Sequence, residues 1–402
     1  MLKVYKYRIY PNASQRQAFA SHFGCVRWVY NWALERRQSD YEEKNTTLSR
    51  RELQDDLVTL KKKPSWLRKV NSQSLLATLI NFDIAYKRFF KKQAKFPRFK
   101  SKYDGRQSYQ CPQHVELDVD NKLINLPKIK CIKIKLHRKF LGEIKTCTVS
   151  RTPTQKYYIS ILVSTPETEP VAYKVVPDKT LGIDLGIKDF VITSSGDKEP
   201  NHKYLYKSQR RLKSAQRKFF KKVKGSSNRA KARNKVAKVY EKLTNQRRDR
   251  AHKVSARLVY KSHDTSFAIE DLNVQGMMKN HKLAKAIGDC GWHFFIKALQ
   301  YKSRWSGKNV IMIDRWFPSS KTCSQCSNVK AKLSLSTRTY ECEQCDMVMD
   351  RDINAAINIK KAALLQIGPG RLECKPVDHA MAGTAVSSLV THGAKQEAAT
   401  RA

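Results

Sequence analysis

Acidic side chains are scarce in this 402-residue chain: 35 Asp and Glu stand against 79 Lys and Arg, a formal net charge of +44 at neutral pH. An excess of that size repels itself in the compact state unless a polyanion screens it, and phosphate backbones are the usual polyanion inside a cell. Nucleic acid is therefore the expected partner, and no small-molecule substrate is implied. Long apolar runs are also missing. The longest, such as Tyr158-Ile-Ser-Ile-Leu-Val163, are strand-sized, far below the ~18–20 uncharged residues of a membrane span, which excludes an integral membrane protein. The start, Met1-Leu-Lys-Val-Tyr-Lys-Tyr-Arg8, alternates charge with apolar residues and lacks a hydrophobic signal core, so the expected location is the cytoplasm. Cysteine is too sparse for a disulfide scaffold: of ten, four fall in two Cys-x-x-Cys pairs, which in a reducing compartment points to metal. The other six are expected to be mostly buried small hydrophobes. No His-hydrophobe-His pair accompanies a tyrosine nucleophile, which argues against a strand-transferring transposase.

What is present is enough apolar residue, 41%, to fill real cores, in a length that allows two to four domains. Residues 3–10 read as a strand closed by Pro11-Asn12. Apolar residues then recur at spacings of three and four over 13–39, 48–60 and 71–92, which predicts a helical module over 11–94. Pro97 ends it by pushing Phe96 out of helical geometry. Short alternating runs over 108–176, notably Ile129–Leu136 and Lys156–Val163, predict antiparallel strands of a small β-barrel over 95–178, completed by residues 1–10. Pro166, Pro170 and Pro177 mark a linker. Thr180–Ile187 and Phe190–Thr193 then predict a hairpin with Asp184 in the middle of an apolar strand.

Residues 203–261 hold 22 Lys or Arg against Glu241 and Asp249 alone, yet keep a helical beat of Phe219, Phe220, Val223, Val236, Val239, Tyr240 and Leu243 around a Gly225–Asn228 turn. Two long basic helices are expected, with Arg210, Arg211, Lys213, Arg217 and Lys218 as candidate phosphate contacts. Strands are expected again at Ser266–Asp271 and Asn309–Asp314, with a helix around 291–305 between them. The tail over 367–402, rich in Gly, Ala and Ser, is expected to be disordered and dispensable for chemistry.

Cys323-x-x-Cys326 and Cys342-x-x-Cys345, separated by 15 residues, have the spacing of two turns that offer four thiolates to one tetrahedral zinc. Four thiolates close the coordination sphere, so this zinc would fold a ribbon over 321–348 and leave no position for a reacting water. Three carboxylates in apolar settings carry the other chemistry, because burying each unpaired costs several kcal/mol. These are Asp184, Glu270 at the end of Phe267-Ala-Ile-Glu270, and Asp352 within Asp350-Arg-Asp-Ile-Asn-Ala-Ala356 at an expected helix start. Hard carboxylate oxygens bind Mg2+, with Mn2+ as a substitute, and two such ions about 3.5–4 Å apart support phosphodiester hydrolysis. Asp271 and Asp350 are the next candidates. Asp350 and Asp352 share a face if the chain there is extended, and do not if the helix has begun.

Taken together, Gly182-Ile-Asp-Leu-Gly186, Ile269-Glu-Asp-Leu272, Phe317-Pro-Ser-Ser-Lys-Thr-Cys-Ser-Gln-Cys326 and Asp350-Arg-Asp-Ile-Asn-Ala-Ala-Ile-Asn358 resemble TnpB. That family consists of RNA-guided nucleases carried by insertion sequences and is similar to the ancestor of type V CRISPR effectors. Tyr10-Pro-Asn12 and Phe96-Pro-Arg-Phe-Lys-Ser-Lys102 extend the resemblance over about residues 3–366. It implies a multidomain α/β protein. Its parts would be a RuvC nuclease domain of RNase H-like fold over 179–320 and 349–366, an inserted zinc ribbon, a β-barrel wedge domain and a helical recognition domain. Asp184, Glu270 and Asp352 would bind the catalytic Mg2+, and Cys323, Cys326, Cys342 and Cys345 one structural zinc. The implied partners are a guide RNA from the transposon end and double-stranded DNA, cut beside a short transposon-adjacent motif in a prokaryotic cytoplasm, with base pairing reading the sequence. Motif-reading residues are expected on the helices and wedge, near Asn71-Ser-Gln73. The family commonly has glycine after each Cys-x-x-Cys, whereas Ser327 and Asp346 follow here. The alternatives are a non-cleaving DNA- or RNA-binding regulator of transposition, and an unguided nuclease resembling junction resolvases.

Overall fold

The computed structural model describes residues 1–62, 65–103, 105–334 and 336–367. The tail expected to be disordered lies outside the described residues, apart from residue 367. No helix among the described residues is long and apolar enough to cross a membrane. The described residues divide into two compact units, Met1–Thr168 and Glu169–Ile367, within the segment marked by Pro166 and Pro170.

The first unit pairs a helical set with a sheet. The helices are α1 (Ala13–Lys44), α2 (Arg50–Leu60), α3 (Ser65–Arg68) and α4 (Ser72–Phe90). The strands are β1 (Leu2–Tyr10), β2 (Gln107–Cys111), β3 (Glu116–Asp118), β4 (Leu123–Leu126), β5 (Ile129–Lys135), β6 (Glu143–Arg151) and β7 (Tyr157–Ser164), in the order β2-β6-β7-β1-β5-β4-β3. Strand β1 lies in the middle of this antiparallel array, and no ladder joins β2 to β3 among the described residues. Helix starts follow capping chemistry: Asn12 with Gln15 and Ser49 with Glu52 form reciprocal capping boxes. Asn71 caps α4. Sheet and helices share one core, in which Tyr7, Ile9 and Ile159 meet Phe19, Leu75 and Phe82. Cys25, Cys111 and Cys147 are buried in it, as small hydrophobes should be, whereas Cys131 is exposed.

The second unit is built on a five-stranded sheet. Its strands are β8 (Thr180–Asp184), β9 (Asp189–Thr193), β10 (Lys198–Pro200), β11 (Ser266–Glu270) and β12 (Asn309–Ile313), ordered β10-β9-β8-β11-β12. Strands β8, β11 and β12 are parallel, and β9 and β10 antiparallel. The helices are α5 (Tyr204–Phe220), α6 (Ser227–Lys261), α7 (Val274–Met277), α8 (Ala284–Cys290), α9 (Trp292–Trp305) and α10 (Arg351–Ile367). A two-stranded ribbon, β13 (Thr339–Glu341) with β14 (Val348–Asp350), precedes α10.

Alternation along the parallel strands sorts residues to two faces. Leu181, Ile183, Phe267 and Ile269 pack with Val254 and Leu258 of α6 and with Trp292, Phe295 and Leu299 of α9. Ala268, Ile311 and Ile313 face Ile359 and Ala363 of α10. The α10 face has room for little: a Cβ on Gly182 would stand 2.0 Å from the Ala356 carbonyl oxygen and 3.0 Å from Lys360. Glycine there lets α10 touch the strand backbone. Gly182→Ala is expected to cost about 3 kcal/mol in overpacking. Because it pushes α10 away, it should also cut any chemistry shared between β8 and α10 by about a hundredfold. Thermal melting and cleavage rates together check this.

Candidate carboxylate and zinc centre

The close contact at Gly182 also sets the positions of the acidic residues. Asp184 lies two strand residues beyond Gly182, about 6.6 Å along β8, and Asp352 lies one helical turn before Ala356, about 6 Å along α10. Near-equal steps from one contact bring the two carboxylates to the same end of the sheet. Asp184 therefore closes β8, where the sequence pattern predicted the middle of a strand. The strand stops because the chain turns sharply; a Cβ on Gly186 would lie 2.6 Å from the Asp189 carbonyl oxygen. Ile183 pairs with Ile269 in the β8–β11 ladder, so Glu270, the last residue of β11, is the next neighbour of Asp184.

Burial, with the Glu270 and then the Asp352 charge adding to it, pushes the Asp184 carboxyl up to about 7. Burial also raises Glu270, against a hydrogen bond from the Ser319 hydroxyl at 2.5 Å. Asp352 accepts from Arg351 Nε and Nη2 at 3.2 and 3.0 Å, and Arg338 stands 3.9 Å away. Among the described residues only the four cysteines bring three or more ligand atoms within 4.8 Å of one another. Glu270 and Asp352 are each held by a partner of their own.

Asp350 and Asp352 stand in different local settings. The helix has begun at Arg351, and the Asp350 carboxylate accepts the N–H groups of Asp352 and Ile353 at 3.0 and 3.2 Å while pairing with Lys198 at 2.5 Å. Burial works against it, but Lys198 and those N–H groups hold the Asp350 carboxyl below its usual range. Asp350 is thus engaged as a cap. Asp271 is likewise paired with Arg315, and Asp314 accepts the Trp316 N–H.

The cysteines form two matching turns. Cys323 accepts from the Ser327 N–H and donates to Asn328; Cys342 accepts from the Asp346 N–H and donates to Met347. Sulfur separations of 3.6 Å for Cys323–Cys345 and 3.5 Å for Cys326–Cys342 suit a tetrahedron of Zn–S bonds, whose S···S edge is about 3.8 Å. The residues that stand in place of the family's glycines carry a conformational cost: Ser327 has φ 64° and Asp346 φ 52°, the left-handed region that glycine adopts freely. Ser327→Gly and Asp346→Gly are each expected to gain about 1 kcal/mol, close to fivefold in zinc affinity, in competition with a chromophoric chelator.

Two asparagines, whose role the sequence pattern does not reveal, join this ribbon to the sheet. Asn354 and Asn358, 0% and 2% exposed, lie one turn apart on α10. Asn354 accepts the Ser324 N–H at 2.9 Å and donates to the Thr322 carbonyl at 2.7 Å. Asn358 donates to the carbonyls of Thr322 and Ser319 at 2.6 and 2.9 Å. Two amides in an otherwise Ile- and Ala-rich helix face are the one signal of them in the sequence.

The basic helices pack on each other through Leu212, Val239 and Leu243. Arg210, Arg211, Lys213, Arg217 and Lys218 all lie on α5, and no acidic side chain pairs with any of them among the described residues.

Three family descriptions match the chain: “Probable transposase” over residues 160–281, “Cas12f1-like, TNB domain” over 292–359 and “Helix-turn-helix domain” over 1–46. Over 366 residues it is 37% identical to a Streptomyces pristinaespiralis protein named “Putative RNA-guided DNA endonuclease”, covering 90% of this chain and 89% of that one. Over 389 residues it is 31% identical to “Putative RNA-guided DNA endonuclease InsQ” of Escherichia coli (strain K12), covering 92% and 94%. Among solved structures, CasPhi-2 (Cas12j) bound to crRNA and phosphorothioate-DNA aligns over 90% of this chain and 91% of its own at 8% identity and a TM-score of 0.44, a likeness too loose to carry an argument.

Proposed function

The chain belongs to the TnpB family, and on that premise we propose that it is an RNA-guided DNA endonuclease of the RuvC type. The guide would derive from the end of the transposon that carries it, and the cut would fall in double-stranded DNA beside a short adjacent motif. The observation that carries this reading is the placement of Glu270 beside Asp184 at the end of the parallel strands, with the Asp352 charge acting on the same group: burial and two like charges push the Asp184 carboxyl up, which a divalent cation would relieve. The donor set, three carboxylates, suits Mg2+ or Mn2+. When bound, such ions supply water activation and stabilisation of the leaving oxygen.

The chain's own residues do the rest. Asp184, Glu270 and Asp352 would hold the ions. The Ser319 hydroxyl donates to Glu270, and Arg351 and Arg338 offset the charge on Asp352. The five-stranded sheet, with α10 on one face and α6 and α9 on the other, supports the reading of a RuvC-type domain. The four cysteines would take one structural zinc. In the first unit, the sheet would act as the wedge and α1–α4 as the recognition helices.

The cations of α5 would track phosphates. Neutralising Arg210, Arg211, Lys213, Arg217 and Lys218 together is expected to weaken binding to all sequences alike. The log–log salt slope should flatten by about 0.9 for each phosphate that these side chains neutralise in the unmodified protein. An unchanged slope returns them to a solvated surface.

The reading as a whole is tested by purifying the protein from cells that also express its transposon end and sequencing the RNA that remains bound. One discrete RNA running from the transposon end into variable flanking sequence is expected. A heterogeneous mixture without enrichment of that end contradicts a dedicated guide.

A further inference from the structure

Ser319 joins two parts of the second unit that have separate chemistries. Its hydroxyl donates to Glu270 Oε1 at 2.5 Å, fixing one carboxylate oxygen and leaving the other to a ligand. Its own backbone is fixed from both sides: the N–H donates to the Phe317 carbonyl at 2.8 Å, and the carbonyl accepts from Asn358 at 2.9 Å. The same Asn358 amide holds the Thr322 carbonyl, which Asn354 also holds, and Asn354 receives the N–H of Ser324, between the first two cysteines. An unbroken series of hydrogen bonds thus runs from the first cysteine turn, through two buried amides on α10, to Glu270.

Buried amides are costly where bulk alone is needed, and leucine or alanine would fill α10 at less cost. Both amides here are committed to backbone groups of the 319–324 segment. We infer that Ser319 is a positioning residue for Glu270, and that the four-cysteine turn, acting through Asn354 and Asn358, sets where Glu270 presents its carboxylate to a divalent cation. The same helix starts with Asp352, so α10 fixes two of the three carboxylates, one directly and one through the ribbon. This inference rests on the proposal that Asp184, Glu270 and Asp352 hold that cation.

The test uses the full-length, zinc-loaded chain. Mn2+ binding to RNA-free protein is read by electron paramagnetic resonance of the free ion, with Asp184→Ala as the baseline. The Mg2+ dependence of cleavage is read separately on guide-loaded protein. Ser319→Ala removes one oxygen and is expected to raise both half-saturating concentrations about tenfold, in the range of losses seen when a ligand's hydrogen-bond partner is removed. Zinc content and guide-RNA binding should be unchanged, and cleavage should recover at saturating Mg2+. Ser319→Thr, which keeps the hydroxyl, should restore both values, and Asn358→Ala should reproduce the loss. Half-saturation within about twofold of the unmodified chain in both Ser319→Ala and Asn358→Ala overturns the positioning role. If Asp184→Ala leaves Mn2+ binding and cleavage intact, the carboxylate centre itself falls, and with it this inference.

Discussion

Asp184→Asn is expected to abolish DNA cleavage, by a factor on the order of 10³ or more, because on the proposed reading it removes a carboxylate that would hold the cations and forfeits several kcal/mol of transition-state stabilisation. Guide and DNA binding should survive, since the proposed phosphate contacts lie on α5. The same substitution should make the cation-free protein more stable at neutral and alkaline pH. The folded chain binds the Asp184 proton more tightly than the unfolded chain does, because burial and the charges of Glu270 and Asp352 push that carboxyl from its usual 3.8 up to about 7. This contribution is fully present below the unfolded value and is lost as pH rises through about 7. Asparagine never carries the charge. At pH 8 the variant should melt several degrees higher, on the order of 4 kcal/mol, and at about pH 3 the two should melt together. Added Mg2+ should reverse the order at pH 8 by stabilising only the unmodified chain. Equal cleavage by the variant would remove Asp184 from the site.

Loss of the zinc should be nearly as severe, for a different reason. Cys342→Ser, or prolonged chelation, is expected to take the zinc content from one per chain to none and to lower cleavage more than about a hundredfold, as the ribbon's folding energy is largely metal binding. Without the ribbon, the carbonyls of Ser319 and Thr322 lose their register on Asn358 and Asn354, and Glu270 loses its donor. The first unit has its own core and contains none of these cysteines, so its helices should remain in circular dichroism. Full cleavage by zinc-free protein would reduce the four thiols to an accessory feature.

Much of this arrangement is legible in the residues. Alternation locates β1, β5 and β7; spacings of three and four locate α1, α2 and α4, and the retained beat through the charge block locates α5 and α6. The cysteine spacing is a covalent ruler, so it identifies the ribbon. Strand ends are harder, because the stop at Asp184 depends on the local turn at Gly186 and also on α10 lying against Gly182, a contact between residues about 170 positions apart. Asp350 and Asp352 cannot be separated by pattern either, because only knowledge that the helix begins at Arg351 makes the first a cap and leaves the second in the first turn of α10, where its charge acts on Asp184. The roles of Ser319, Asn354 and Asn358 are out of reach for a similar reason. Their partners are backbone carbonyls and one carboxylate brought near by folding, and no local pattern encodes them.

The most direct test of the account is cleavage of a plasmid that carries a guide-matched segment beside a randomised flank, by purified protein with and without its transposon-end RNA. Linear product is expected only with both RNA and Mg2+, at a position that moves when the guide segment is rewritten, and beside one enriched flanking motif. Cutting without RNA, or at a position indifferent to the guide, would contradict an RNA-guided nuclease.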